Sequence, residues 1–426
     1  MEIAKGITER LPGNSAKSQC SFSPISHLPS PIRFYISRPM PDPIYLDHSA
    51  TTPVRAEVLE AMLPFFGPRF GNPSSTHKWG REARVALDEA RERLARALGA
   101  SADEICFTSG GTEADNLAVI GAWRSLRHAR PALVSTPIEH KAVLAAVHEV
   151  EAEGGTTRIV DVNAMGLVDA ASFDDAVRDD TALCSVMWVN NEVGTIQDIA
   201  TLAGVAKARG ALFHTDGVQA LGKVAIDTRT LPVDYLSISG HKVGAPKGIG
   251  ALFVRRGAPI TPLFFGGTQD RGRRPGTENV AMSIGFARAV ELAVAEREEE
   301  CARLERMRDA LETALLAKIP DAVIHGRGAP RAPHILNISV PGTDSESMLM
   351  ALDLQGVASS AGSACQSGSI DPSHVLTALR VPHELAIASV RFSLGSLNTD
   401  AHVTRVAELF PALITKARRL SGLVTG

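Results

Sequence analysis

From Ile44 onward, short apolar runs alternate with stretches whose apolar positions recur every three or four residues. That alternation predicts strands and helices in turn, hence an α/β architecture. The apolar runs are Ile105–Phe107, Leu133–Val134, Leu183–Val189, Ala211–Phe213, Tyr235–Ile238 and Ala251–Val254. Several are apolar almost throughout, the pattern of strands covered on both faces. Helices are expected between most of them, notably over Thr112–Leu126 and Ile199–Ala208. Ahead of them, Arg81–Leu98 places Ala83, Leu87, Ala90, Leu94 and Leu98 on one helical face, and Gly99 follows as a stop. A long charged helix is expected over Val290–Leu316, with Leu304, Met307, Leu311 and Leu315 on one stripe and its Glu and Arg residues on a solvated face. A domain boundary is placed near its start, dividing a large domain (57–298) from a small C-terminal one (299–426), which residues 44–56 are expected to join.

Residues 1–39 break the pattern. They carry prolines at positions 12, 24, 29, 31 and 39 and no sustained apolar period, so a disordered extension (1–43) is expected. Met40 is an alternative natural start. No basic start followed by an apolar stretch marks a secretory signal, and Glu2 and Glu9 interrupt the basic pattern of a transit peptide.

Composition narrows the function classes. The chain has 426 residues and a formal net charge of −3, which gives no footprint for nucleic acid. No apolar run reaches the roughly 18 residues of a membrane helix. The five cysteines (Cys20, Cys106, Cys184, Cys301 and Cys365) are far apart and form no C-x-x-C pair. A disulfide framework or a metal site is therefore not expected, and free thiols suit a reducing compartment.

A set of short motifs carries candidate chemistry. Ser237-Ile238-Ser239-Gly240-His241-Lys242 runs from an apolar strand into a polar turn that ends in a lysine, followed by Gly244, Gly248 and Gly250. A lysine so placed could form a Schiff base with pyridoxal phosphate, though a strand-end lysine alone is usually a surface charge. His214-Thr215-Asp216-Gly217-Val218-Gln219 follows another strand. Asp216 could hold a pyridine nitrogen protonated, with Gln219 near the phenolic oxygen; taken alone, Asp216 could equally cap a helix. Thr108-Ser109-Gly110-Gly111-Thr112 joins a strand to a helix start, which suits a phosphate and lacks both the dinucleotide and the nucleoside-triphosphate patterns.

His140, after the Leu133–Val134 strand, could stack on a cofactor ring and move protons. Asn191 could donate to a cofactor oxygen or a substrate carboxylate; its alternative is a turn. Cys365 sits among small residues in a loop over 359–369, where a thiolate could swing between a buried site and a partner. Cys106 and Cys184, in apolar runs, read as structural. Arg391, within Val390–Leu394, needs a buried partner, either a carboxylate clamped from substrate or an internal ion pair.

Together these residues resemble the cysteine desulfurases, pyridoxal-phosphate enzymes of the class-V aminotransferase group. The resemblance runs from about Ile44 to Leu397 and includes Tyr45-Leu46-Asp47-His48-Ser49-Ala50-Thr51-Thr52-Pro53, Phe70-Gly71-Asn72-Pro73 and Gly272-Arg273-Arg274-Pro275-Gly276-Thr277. It implies fold type I, a large domain with a mostly parallel seven-stranded sheet plus a smaller α/β domain. It implies Lys242 as the cofactor lysine, His140 over the ring, Asp216 at the ring nitrogen, and Gln219 and Asn191 near the phenolic oxygen. Phosphate contacts fall to Gly111, Thr112, Ser239 and His241, and Thr277 is expected to reach the phosphate of a neighbouring subunit, implying a homodimer. Arg391 is expected to hold the carboxylate of L-cysteine and Cys365 to become the persulfide. The long Cys loop is similar to that of the nitrogen-fixation and iron–sulfur-cluster branch, which implies a scaffold or other sulfur acceptor docking near it. Selenocysteine lyases and class-V aminotransferases share the cofactor residues, and a sulfur carrier without a cofactor is a further alternative; the Cys365 loop argues against the aminotransferase.

Overall fold

The structure is a computed structural model, and it describes residues 42–361 and 371–420. The Cys365 loop and the N-terminal extension lie outside the described residues. Seven strands form the main sheet: β2 (Ile105–Thr108), β3 (Ala132–Ser135), β4 (Thr156–Ile159), β5 (Thr181–Ser185), β6 (Leu212–Asp216), β7 (Tyr235–Ser239) and β8 (Gly250–Val254), following the short β1 (Ile44–Tyr45). Their order is β2-β8-β7-β6-β5-β3-β4. Only β8 runs antiparallel to its neighbours β2 and β7. Every residue of β2, β3, β5, β7 and β8 is buried, which is why these strands read as unbroken apolar runs. The edge strand β4 is half exposed and has no such signature.

The helices cover both faces of this sheet. Lys78–Leu98 buries Ala83, Ala86, Leu87, Ala90, Leu94 and Leu98, and it ends where Gly99 turns left-handed at φ 69°. Gly111–Leu126 and Ile199–Ala208 follow the expected bounds within a residue.

The expected helix over Val290–Leu316 is instead two helices, Val280–Ala295 and Arg297–Lys318, that meet at Glu296. The five charged residues Glu296-Arg297-Glu298-Glu299-Glu300 fit the solvated face of one long helix, and no Gly or Pro marks the junction, so the sequence pattern does not reveal it. The two halves serve different cores. Val290 packs under the main sheet. Leu304, Met307, Leu311 and Leu315 pack in a second cluster with Ile44, Leu46, Leu336 and Phe392. Glu296 itself is held by a two-pronged ion pair with Arg55, at 2.6 and 2.8 Å.

That second cluster covers a smaller sheet in the order β12-β10-β9, built from β9 (Val323–Ile324), β10 (Ile335–Ser339) and β12 (Ser389–Ser393). β1 pairs with β11 (Val357–Ala358) beside it.

Gly250 marks a tight crossing of backbone. A Cβ there would lie 2.7 Å from both the Gly110 carbonyl carbon and the Ile238 oxygen. Neither is a flexible side chain, so Gly250→Ala is expected to displace the turn after β2. A loss of roughly 1–3 kcal/mol of stability follows, as for other overpacked interiors. Thermal or denaturant melting measures it.

Candidate active site

The C-terminal ends of the parallel strands of the main sheet point to one side, where open α/β sheets place their ligands. Five of them deliver candidate residues there. β2 leads through Gly110 into the helix start at Gly111 and Thr112. β3 leads to His140, β5 to Asn191, β6 ends on Asp216, and β7 turns through Ser239 and His241 to Lys242. One cavity is lined by Gly111, Thr112, His140, Asn191, Asp216, Gln219, Ser239, His241, Lys242 and Arg391. Thr277 is not among them; it lies exposed on a separate loop.

Lys242 is deeply set. Its Nζ donates to the carbonyls of Ser49 and Ala50, the latter at 2.8 Å. Burial, with help from the nearby Arg391 charge, lowers its ammonium to about 8, while Asp216 and Asp47 pull the other way. Asp216 Oδ1 accepts the Val218 N–H at 2.9 Å. Burial raises its carboxyl above the usual range, against the favourable charges of His140 and Lys242. Gln219 Nε2 donates to the Ser49 carbonyl at 2.9 Å.

His140 caps the helix Lys141–Ala152, its Nδ1 accepting the Ala142 N–H at 3.1 Å. With Nδ1 so used, the neutral ring carries its proton on Nε2. Burial lowers its pKa. His241 Nδ1 lies 3.2 Å from the Thr51 hydroxyl, and burial takes its pKa down to about 4. Ser239 Oγ is buried with no hydrogen-bond partner.

Arg391 comes from β12 in the smaller sheet and is 3% exposed. Its Nη2 donates to Asp47 Oδ1 at 2.7 Å and its Nη1 to the Asn191 carbonyl at 2.8 Å, while Nε is buried without a partner. The expected internal ion pair is therefore present, and the same guanidinium also faces the cavity. The backbones of Arg391 and Ser360 exchange hydrogen bonds. Ser360 and His374 both line the cavity, so the chain enters and leaves residues 362–370 at its wall. Cys106 and Cys184 are buried, as their apolar surroundings imply.

Sequence reasoning missed several wall residues. Asp47 stood in plain view within the Tyr45–Pro53 motif but had no assigned partner. Lys141, Glu192 and His374 lacked any spacing signal. Asp115 and Glu139 are wholly buried carboxyls, and burial of that kind leaves no periodic trace.

An enzyme of the aminotransferase class-V type is what this fold and site define; that family's model matches residues 44–406. A cysteine desulfurase IscS from Dictyoglomus turgidum is 45% identical over 378 residues, covering 89% of this chain and 96% of the relative. One from Methanosarcina thermophila is 46% identical over 380 residues, covering 89% and 94%. Among solved structures, a NifS-like protein superposes with a TM-score of 0.82 at 35% identity, covering 88% of this chain and all 100% of its own. SspA in complex with cysteine gives 0.71 at 33% identity, covering 82% and 98%. The chain belongs to the cysteine desulfurases of the class-V family.

Proposed function

We propose that the chain uses pyridoxal phosphate to convert L-cysteine to L-alanine, leaving the sulfur as a persulfide on Cys365. The observation that carries this reading is the convergence, in one cavity, of a buried amine, a buried carboxylate and a buried guanidinium, with both ends of the Cys365 segment on its wall. The donor set fits the cofactor. An unpartnered Ser239 hydroxyl, the helix start at Gly111 and Thr112, and His241 suit a phosphate. Close packing supports that cradle, since a Cβ on Gly111 would lie 2.9 Å from Val218 Cγ2. Asp216 suits a ring nitrogen, Gln219 and Asn191 a phenolic oxygen, and the Lys242 amine an aldehyde. When bound, the cofactor supplies a sink for the electron pair left at the substrate α-carbon.

The chain's own residues do the rest. Arg391 binds the α-carboxylate, which fixes the α-hydrogen and the thiol in space. Lys242 Nζ takes the α-proton, a task that suits an amine lowered to about 8. His140 Nε2 holds or returns a proton at the substrate. The Cys365 thiolate attacks the substrate sulfur; a sulfur–sulfur bond forms and the carbon–sulfur bond breaks. The displaced electron pair stays with the three-carbon unit, which takes up protons and leaves as alanine.

The large domain (57–298) holds the cofactor and the small domain (299–426), joined by residues 44–56, brings Arg391. Thr277 is exposed in the single chain and serves a partner's phosphate in a homodimer. The persulfide goes to an iron–sulfur scaffold or another acceptor docked near the Cys365 loop, in the cytoplasm. No helix among the described residues is long and apolar enough to cross a membrane.

Cys365→Ala tests the reading. The variant is expected to keep its yellow colour and to release no alanine or sulfide from L-cysteine. Full desulfurase activity in it would remove Cys365 from the mechanism. Alanine formed by the unaltered chain without an added 2-oxo acid separates desulfurase from aminotransferase.

A further inference from the structure

Lys242 enters its cavity beside a tight turn, 47–51, whose carbonyls at Ser49 and Ala50 accept hydrogen bonds from its Nζ. The Ser49 carbonyl also accepts from Gln219 Nε2 at 2.9 Å. The N–H groups of the turn are engaged elsewhere. Those of Ala50 and Thr51 donate to the Asp47 carbonyl, at 3.0 and 3.4 Å, and that of Thr52 donates to the His241 carbonyl at 2.8 Å. The Ser49 N–H meets a side chain instead, the Ser393 hydroxyl, at 2.9 Å. With the N–H groups so satisfied, the turn keeps one backbone geometry, and in it two carbonyls converge on one amine.

Ser393 belongs to β12, the strand that carries Arg391, and it is buried. All its polar atoms serve segment 46–49. Its N–H donates to the Leu46 carbonyl at 2.7 Å. Its carbonyl accepts from the His48 N–H at 3.1 Å and lies 3.2 Å from His48 Nδ1. Its hydroxyl accepts from Ser49 and reaches the Leu46 carbonyl at 3.4 Å. The backbone bonds alone align the segment with the strand. The hydroxyl does something more local, because it ends on the N–H of the residue whose carbonyl holds Lys242. Arg391 stands two residues before Ser393, on the same face of β12, and grips Asp47 of the same segment. The far end of the turn is tied to the loop of the lysine itself. Thr51 Oγ1 lies 3.2 Å from His241 Nδ1, and Thr52 Oγ1 accepts the Gly244 N–H at 2.9 Å. The turn is therefore fixed between the strand of Arg391 and the loop of Lys242.

Two converging carbonyls favour an ammonium over a neutral amine, since acceptors that bond the charged form stabilise it. In the proposed reaction Lys242 takes the α-proton and becomes an ammonium in a buried place. Burial and the Arg391 charge oppose that state, while Asp216 and Asp47 favour it. The turn adds acceptors at the amine itself. The charged and titratable groups around the amine are Asp47 beside the turn, His140 after β3, Asp216 at the end of β6, His241 in its own loop and Arg391 on β12. A substitution at Ser393 changes none of these groups, so what it alters at the amine comes through the turn.

We propose that turn 47–51 is the resting place of the Lys242 amine whenever it is off the cofactor, and that Ser393 is a positioning residue that aims the Ser49 and Ala50 carbonyls at it. The resting place during turnover rests on the cofactor reading above; the aiming of the turn in the cofactor-free protein does not.

Acetic anhydride labelling of the full chain after cofactor removal, read at Lys242 by peptide mass spectrometry against pH, tests the role of Ser393. In the unaltered protein the labelling rate is expected to level off above about 8, where the amine has lost its proton. Ser393→Ala leaves the Ser49 N–H without its acceptor and frees the carbonyls to turn away. The ammonium then loses support, and the break is expected to fall by about one pH unit. Ser393→Thr keeps the hydroxyl and is expected to hold the break in place. An unmoved break in Ser393→Ala, or an equal shift in the Ala and Thr variants, overturns the role given to Ser393. A crystal structure of the unaltered holoenzyme with L-alanine, whose amine competes with Lys242 for the cofactor, tests the resting place. Lys242 Nζ is expected within hydrogen-bond distance of both carbonyls, and a displaced amine found elsewhere overturns that part. Failure of the unaltered protein to bind pyridoxal phosphate would instead strike the cofactor reading, with the labelling result standing apart from it.

Discussion

Lys242→Ala is expected to give a colourless protein whose desulfurase rate falls by at least about 10⁴-fold. One side chain is asked to do two things. It anchors the cofactor aldehyde, and its freed amine takes the α-proton. Loss of a positioned general base alone costs up to about 10⁴-fold, and loss of the anchor adds to it. The fold should survive, because Nζ bonds only the carbonyls of Ser49 and Ala50, which border the cavity. The pH dependence has a definite sign. Lys242 is lowered from the ordinary lysine value of 10.5 to about 8, chiefly by burial. Its amine must be unprotonated to attack an aldehyde. Uptake of pyridoxal phosphate by the cofactor-free protein should therefore quicken about tenfold per pH unit below about 8 and level off above it. An ordinary surface lysine would keep quickening to about 10.4. Absorbance at the cofactor band against pH, followed in the unaltered protein and in Lys242→Ala, checks both statements. A Lys242→Ala variant that binds the cofactor with the same colour and turns over cysteine would remove Lys242 from its role.

How much of this was legible in the sequence depended on which residues carried the signal. The buried strands announced themselves because both faces are covered, so Tyr235–Ser239 and Gly250–Val254 contain few polar positions. The strand Thr156–Ile159 did not, because a half-exposed edge has no such constraint. The junction at Glu296 was hidden for a different reason: a charged run with no Gly or Pro joins two helices that feed two separate cores. At the site, Lys242, Asp216 and His140 could be proposed because each ends a strand or opens a helix, and those positions are recognisable locally. Asp47 reaches Arg391 from 344 residues away in the chain, and no local pattern encodes such a pairing. Asp115 is the sharpest case. Next to Thr112 it reads as an ordinary residue of a helix start, and only the folded chain places it, 1% exposed, with its Oδ1 3.7 Å from the buried His214 Nε2.

Arg391→Lys is expected to keep the fold and lose substrate recognition. The guanidinium is fixed by Asp47 at Nη2 and by the Asn191 carbonyl at Nη1. These contacts come from two segments that are remote in sequence, so the side chain arrives already oriented and loses little freedom on meeting a carboxylate. A lysine keeps the charge but offers a single ammonium where a planar fork stood. It cannot satisfy Asp47, the Asn191 carbonyl and a substrate carboxylate in one plane. The loss should be about 10²-fold in kcat/KM, or about 2.7 kcal/mol, and should fall mainly on KM, because the carboxylate is held alike before and during the chemical step. Arg391→Ala should lose about 10³-fold, leaving the Asp47 carboxylate without its partner, and melting should show some lost stability as well. Steady-state kinetics on L-cysteine, set beside cofactor absorbance, separates the two effects. If KM for cysteine is unchanged in Arg391→Lys while absorbance and melting match the unaltered protein, the carboxylate binds elsewhere, and Arg391 serves only to tie the segment around Asp47 to β12.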